Sequence, residues 1–399
     1  MDGFRIAFVV ARYEVGTAGG AEVHAAEVAT RLAAKGHSIE VFTTCARDHH
    51  LWGNDLKPGD QVIHGVVVHR YPADPKEDTW LFHHLQRKMH LGIKLSDQEE
   101  ASWLKNSVHS QELYRALKKR RKDFDGIIFM PYLFGITYEG SRLAEEKFIL
   151  IPCLHDEPFA RLKLTQDLFQ RAQFIMFNTE PERQLAQRLY CINGNSSLVA
   201  LGFENARDAD ENAFRKKYGL EGQPYLIFVG RWEKGKNVDL LVEYFKKYLI
   251  NAKRQIKLVF LGSGEMHIPK TFEDKIHPLG YIPLEDKLGA IKGAMALCQP
   301  SVNESLSIVI MESWTYQTPI LVHGNCAVTK YHCVQSGGGL YFSNYFEFEE
   351  AVNFLCDHPE IRSKMGERGR RYVRENYSWD KVIDRFESSF HAYLEAKRK

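Results

Sequence analysis

Two acidic residues, Glu304 and Glu312, flank a hydroxyl-rich turn in the segment QPSVNESLSIVIMESW, residues 299–314. An apolar strand over Ala296–Gln299 breaks at Pro300, a short polar turn carries Glu304, and a helix is expected to begin near Ser305–Ser307 and to carry Glu312. Eight residues separate the glutamates, about 12 Å at the helical rise, comparable to the distance between the ribose and the hexose of a sugar nucleotide. Between them the helix would present free N–H groups and the positive end of its dipole, which suits a diphosphate. A second charged loop, Gly230-Arg231-Trp232-Glu233-Lys234-Gly235-Lys236-Asn237, follows the apolar run Tyr225–Gly230 and precedes a helical pattern. Arg231 offers a planar fork matched to phosphate oxygens, and Lys236 a compact charge. Two cations and a helix N-terminus can offset charge on a leaving diphosphate without a metal.

The elements that would hold these residues alternate between strand and helix. Arg5–Val10 is an apolar run ending in the glycine-bearing loop Glu14–Gly20, with helical periodicity over Ala21–Ala34 and a strand over Ile39–Thr43. The loop is not G-x-G-x-x-G, but its adjacent Gly19 and Gly20 let the backbone approach a ligand. A strand over Val66–Arg70 and mostly helical residues from Trp80 to Lys122 follow, with a capping box at Ser96 and Glu99. Strands are expected at Gly126–Met130, Phe148–Pro152, Phe174–Asn178 and Ser197–Leu201. Loops leaving strand ends carry His155-Asp156-Glu157 and Asn178-Thr179-Glu180, and the adjacent acids Asp156 and Glu157 before Pro158 offer a carboxylate nucleophile or, as is more common at such a junction, N-terminal helix caps. The polar stretch Gly202–Pro224 reads as a hinge. Beyond it the rhythm restarts, with Ile256–Leu261 ending in Gly262-Ser263-Gly264-Glu265 and strands near Pro278–Ile282, Pro319–Val322 and Leu340–Phe342. Parallel sheets covered on both faces are expected in each half. A last helix, Trp379–Ala396, has a one-sided apolar stripe of Val382, Ile383, Phe386, Phe390 and Tyr393 that must bury against something.

Composition narrows the partners. A length of 399 residues implies two domains. A net charge of +2 argues against a broad nucleic-acid surface. The basic runs Lys118–Lys122 and Lys397–Lys399 are local, and the first could help the protein rest on an anionic membrane. Seven cysteines without a C-x-x-C spacing fit free thiols in a reducing cytoplasm. No apolar run is long enough for a signal peptide or a membrane span. Asp48-His49-His50 has no third ligand nearby in sequence, and no metal site is expected.

In order and spacing, FVGRWEKGKNVDLLV, LVFLGSGE, PLGYIP and QPSVNESLSIVIMESW resemble the retaining glycosyltransferases of family four, the group 1 glycosyl transferases with the GT-B fold. The segment GGAEVHAAEVATRLAAKGHSIEVFT is similar to their opening βαβ unit and NYSWDKVIDRF to their closing segment. The likeness covers nearly the whole chain, is strongest over residues 225–316 and weakest over 72–125. It implies an α/β chain of two Rossmann-like parallel-sheet domains facing across a cleft. An acceptor domain would span 1–205 and a donor domain 206–378, with a helix over 379–399 returning to the first. The activity implied is transfer of a hexose, mannosyl or glucosyl, from a nucleotide-diphosphate sugar to a glycan or lipid-linked saccharide, with retention and with no cofactor. The bacterial polysaccharide type, at the inner face of the membrane, is the closest pattern.

Carried over by motif, Arg231 and Lys236 would bind the donor diphosphate, Glu304 the donor sugar hydroxyls and Glu312 the ribose hydroxyls. Backbone N–H groups near Ser305, Leu306 and Ser307 would bind sugar or phosphate. Gly19, Gly20, Gly230 and Gly262 would line the donor, the backbone at Tyr281 and Ile282 would meet the base, and His155 would lie near the transferred sugar. Ala200-Leu201-Gly202-Phe203 departs from the pattern, which usually has asparagine before that glycine. A sugar-nucleotide epimerase or hydrolase of the same architecture, and a non-catalytic nucleotide-sugar sensor, are the alternative readings.

Overall fold

The structure, a computed structural model, describes residues 3–14, 19–48, 52–192, 194–252 and 254–398. Of the residues singled out above, 15–18 of the glycine loop, His49, His50 and Lys399 lie outside the described residues. The chain divides into two compact units, Met1–Leu201 with Val382–Lys399 and Gly202–Lys381. The sequence reading puts its divisions at 205/206 and 378/379.

Among the described residues the first unit is built on eight strands: β1 (Arg5–Val10), β2 (Ser38–Thr44), β3 (Gly59–Ile63), β4 (Val66–Tyr71), β5 (Gly126–Met130), β6 (Phe148–Leu150), β7 (Phe174–Phe177) and β8 (Ser196–Leu198). Their order is β3-β4-β2-β1-β5-β6-β7-β8. β1 pairs in parallel with β2 on one side and β5 on the other, with Ile6 opposite Ile39 and Gly126. The chain therefore reverses its winding at β1, and loops at the carboxyl ends of β1, β5 and β6 gather at the place where such sheets bind ligands.

One strand departs from the parallel expectation. β3 runs antiparallel to β4, joined by His64 and Gly65 at φ 48 and 81. Positive φ at both central residues is the hairpin geometry that matches strand twist. β3 is exposed along its length, so it carries no apolar alternation to betray it.

The apolar stripe of the last helix, Trp379–Arg398, is buried in this unit. Phe386 stacks near Phe8 at 6.3 Å, Phe390 packs on Phe4 at 4.7 Å and Tyr393 meets Phe174 at 6.3 Å. Gly126 makes room for it, since a Cβ there would fall 2.8 Å from Phe390. Glu387 adds an ion pair to Lys35 and a hydrogen bond from His37 Nε2, each at 2.9 Å. Each buried side chain of the stripe contributes on the order of 2 kcal/mol.

Among the described residues six parallel strands form the sheet of the second unit: β9 (Tyr225–Val229), β10 (Lys257–Leu261), β11 (Ile276–Gly280), β12 (Ala296–Gln299), β13 (Ile320–His323) and β14 (Gly339–Phe342). The order β11-β10-β9-β12-β13-β14 puts the reversal between β9 and β12. The hinge reading of residues 202–224 needs correction, because Glu211–Lys217 is a helix of this unit. Asp210 caps it by accepting from Asn212 and Ala213 N–H, and Phe214 is fully buried beside Tyr225. One buried apolar side chain in seven residues leaves no periodic signal.

Candidate active site

Two loops leave the sheet of the second unit at its reversal, and they meet. After β9, Gly230 takes φ 152, and Trp232 N–H donates to Ser263 O at 2.6 Å. The loop after β10 is pressed against it: a Cβ on Gly262 would fall 1.9 Å from Gly230 O, and one on Gly264 2.4 Å from Trp232 O. Glycine at 262 is thus required twice, by contact and by φ 129. The loop continues through a short 3₁₀ turn, Lys234–Lys236, to Asn237 at φ 58, whose side chain donates to Pro300 O at 3.2 Å. That bond ties it to the segment after β12.

Lys236 Nζ lies 2.8 Å from Glu304 Oε1, and Gln299 Nε2 donates to the same oxygen at 3.3 Å. Glu304 is nearly buried, its side chain 9% exposed. Arg231 pairs with Glu233 at 3.1 Å. Residues 304–307 are not helical: the helix spans Ile308–Thr315, and Ser307 precedes it at φ 67 without a side-chain cap bond. Its start is thus displaced from the expected Ser305–Ser307, and helical rise does not measure the distance from Glu304 to Glu312. The left-handed Ser307 turns the chain so that Ser305 and Leu306 lie in the loop beside Glu304. Three buried polar atoms here, Trp232 Nε1, Gln299 Oε1 and Ser307 Oγ, have no hydrogen-bond partner among the described residues. Buried polar atoms are normally paired, so each of these is suited to a polar ligand.

Packing beneath the helix fixes its height. Trp314 is fully buried, donates to Gly338 O at 2.9 Å, and lies so close to Gly369 that a Cβ there would fall 2.0 Å from its ring. Glu312, two residues earlier, accepts from Lys287 at 2.9 Å. Tyr281 is 69% exposed after β11, with Ser263 Oγ 3.5 Å from its hydroxyl, and Ile282 beside it is half-buried. Cys326, buried just ahead of the helix Ala327–Ser336, has its thiol pushed up by burial and by the charge of Glu304.

In the first unit Gly19 precedes the helix Gly20–Ala34, and Gly20 is exposed at its first turn. A Cβ on Gly19 would fall 2.0 Å from Glu22 Oε2, so glycine there makes room for the Arg12–Glu22 ion pair, which closes at 2.5 Å. His155 follows β6. Its Nδ1 lies 3.5 Å from Glu157 Oε1, which accepts from Tyr132 OH at 2.7 Å. Asp156 and Glu157 read as helix caps in the sequence, but no side chain caps the turn Pro158–Arg161. Asp156 instead pairs with Arg161 at 2.6 Å in solvent. Behind the loop, buried Glu182 accepts from the N–H groups of Leu154 and Asn178, both at 2.6 Å, while burial pushes its carboxyl up to about 7.

Gln299 and Asn237 have no role in the sequence reading, and Lys287 and Glu182 are absent from it. Thr179-x-x-Glu182 has the spacing of a capping box and could have flagged Glu182; the others act across the fold and leave no local signal. The basic run Lys118–Lys122 is partly consumed by pairing, Arg120 with Glu40 at 2.5 Å and Arg121 with Glu146 at 3.7 Å. Among the described residues no group of three or more His, Cys, Asp or Glu could hold a metal, and no helix is long and apolar enough to cross a membrane.

Residues 210–372 match the family model described as Glycosyl transferases group 1. Alpha-D-kanosaminyltransferase of Streptomyces kanamyceticus is 27% identical over 195 residues, 45% of this chain and 50% of that protein. D-inositol 3-phosphate glycosyltransferase of Geodermatophilus obscurus is 23% identical over 418 residues, covering 95% and 86%. The chain thus spans about half the length of some curated relatives and most of others. The solved structure of Anabaena Alr3699/HepE in complex with UDP and glucose superposes with a TM-score of 0.71 at 12% identity, covering 98% of this chain and all of that one. The match to group 1 glycosyl transferases covers residues 210–372, most of the second unit, and the GT-B fold is shared along the length of the chain.

Proposed function

We propose that this chain transfers a hexose, mannosyl or glucosyl, from a nucleotide-diphosphate sugar to a glycan or lipid-linked saccharide at the cytoplasmic face of a membrane, retaining the anomeric configuration and using no metal. The observation that carries it is the meeting of Lys236 and Glu304 where β9 and β12 diverge, beside a helix N-terminus and three unpartnered buried polar atoms. In this reading Arg231, Lys236 and the N–H groups ahead of Ile308 hold the diphosphate, Glu304 accepts from hexose hydroxyls and Glu312 from the ribose. Tyr281 and Ile282 frame the base, and His155 meets the transferred hexose.

The bond from the anomeric carbon to the β-phosphate oxygen breaks toward these cations. The acceptor oxygen bonds that carbon from the same face, and its proton passes to the departing phosphate. No carboxylate nucleophile is needed, which agrees with the engagement of Asp156 by Arg161 and of Glu157 by Tyr132. Support for the donor class comes from the UDP and glucose held by the Anabaena structure, and for a small phosphorylated or saccharide acceptor from the D-inositol 3-phosphate named for the Geodermatophilus relative.

The test is incubation with a panel of radiolabelled nucleotide sugars, following donor hydrolysis first and then transfer to membrane lipid extracts, with proton NMR of the new bond. Consumption of a hexose donor and a retained anomer are expected. A chain that consumes no donor, or gives an inverted product, overturns the reading.

A further inference from the structure

We propose that Glu157 is a positioning residue that fixes the ring of His155, engaging Nδ1–H and leaving Nε2 as the atom offered to substrate; this rests on the reading that His155 meets the transferred hexose.

A carboxylate taken out of water costs several kcal/mol unless it is paired or hydrogen-bonded, and Glu157 is mostly buried, its side chain 14% exposed. Its named partners are Tyr132, whose hydroxyl donates at 2.7 Å, and His155, whose Nδ1 stands 3.5 Å away. Both reach the same oxygen, Oε1. Burial pushes this carboxyl up, but His155 and then Tyr132 outweigh it and hold the group below its ordinary range. Of the other charged or titratable groups around it, Asp156 is occupied by Arg161. His90 acts on Glu157 from the helix Thr79–His90, and Arg161 acts on Tyr132 from the turn Pro158–Arg161. Glu182, from the helix Glu180–Leu189, feels the charge of His155.

The backbone is arranged for the pair. Glu157 N–H donates to His155 O at 3.0 Å, a tight turn that brings the two side chains to one side. Tyr132 N–H donates to Pro152 O at 3.0 Å, and Leu154 N–H is held by Glu182 at 2.6 Å, so both flanks of the His155 loop are pinned. A neutral imidazole has one N–H, and an acceptor at Nδ1 selects the tautomer that carries it there. Nε2 then accepts from a sugar hydroxyl, and in the protonated ring it donates to a phosphate or hydroxyl oxygen. The acid that the sequence offers as a nucleophile or a helix cap is, on this geometry, neither; it decides which nitrogen His155 presents.

Long-range ¹⁵N–¹H NMR on protein with labelled histidine reads the tautomer directly, with the His155 signal among the 17 histidines identified by its loss in His155→Ala. The wild-type neutral ring is expected as the Nδ1–H form, and Glu157→Gln as a mixture. In donor hydrolysis, Glu157→Gln should lower kcat about tenfold while donor KM stays within about twofold, the pattern of a group acting on the transition state. A wild-type ring found as the Nε2–H form overturns the proposal even if Glu157→Gln fails to fold. So does a Glu157→Gln variant with unchanged tautomer and kcat, provided His155→Ala is impaired. If His155→Ala hydrolyses donor at the parent rate, the placement of His155 beside the hexose fails instead.

Discussion

Lys236 and Glu304 form an ion pair at 2.8 Å between residues 68 positions apart, one from the loop after β9 and one from the loop after β12. With Gln299 on the same carboxylate oxygen and Asn237 holding Pro300, the pair locks the two loops that bracket the helix Ile308–Thr315. A diphosphate offers Lys236 a doubly charged partner, and hexose hydroxyls offer Glu304 neutral donors. Exchange of one protein–protein ion pair for two protein–ligand contacts is therefore the electrostatic event expected on donor binding.

Removing either cation should weaken that exchange. Lys236→Ala and Arg231→Ala are each expected to lower affinity for the nucleoside diphosphate about tenfold or more, at about 1.4 kcal/mol per tenfold. Lys236→Ala should also cost stability, because it leaves the nearly buried Glu304 with only neutral donors. Titration calorimetry with the nucleoside diphosphate measures the first effect, and unchanged affinity in both variants would remove the loop from the site.

Turnover should survive chelation. Arg231, Lys236 and the helix N-terminus supply the positive field that a divalent cation supplies elsewhere. Donor hydrolysis in EDTA is expected to match the untreated rate; loss of turnover that Mg²⁺ or Mn²⁺ restores would replace this mechanism with a metal-assisted one.

Gly262→Ala should be costly out of proportion to one methyl group. The new Cβ would lie 1.9 Å from Gly230 O, and φ 129 is closed to L side chains, so the loops after β9 and β10 must separate. A loss of about 1–3 kcal/mol or more in urea unfolding is expected, with weakened nucleotide binding. Wild-type stability in the variant would mean that the loops do not abut.

Much of this arrangement is legible in the residues. Tyr225–Val229 and Ala296–Gln299 are apolar runs that read as buried strands, and the charges just beyond them then belong at strand ends, where Arg231, Lys236 and Glu304 do sit. What escapes is of two kinds. β3 and the helix Glu211–Lys217 bury too little to pattern their own sequence. Gln299, Lys287 and Glu182 are meaningful only through partners on other elements, since nothing in a strand-ending glutamine announces the carboxylate five residues on. Glu157 shows the opposite limit: its type and place were visible, but its role depends on Tyr132, 25 positions away.

Acid should destabilise the fold through two buried imidazoles. Burial lowers His24 to about 4 and His332 to about 3, each from an ordinary value of 6.5. Because the unfolded chain binds the proton first, their contribution is complete above pH 6.5 and is lost as pH falls toward 4 and 3. For His332 the loss at pH 4.5 is about 2–3 kcal/mol. Urea unfolding at pH 7.5 and 4.5 should therefore show a smaller drop in His332→Gln, whose amide can still reach Tyr372. An equal drop in both proteins would contradict neutral burial of this ring.

The central claim is that Glu304 holds the hexose of a nucleotide-sugar donor, and Glu304→Gln tests it most directly. The amide keeps the shape and removes the charge that strengthens hydrogen bonds to the sugar as the bond breaks. Measured as release of nucleoside diphosphate from whichever donor the wild type consumes, kcat/KM should fall about 100-fold or more, roughly 3 kcal/mol. Affinity for the nucleoside diphosphate alone should stay near that of the parent. A variant that releases nucleoside diphosphate at the parental kcat/KM would contradict the account.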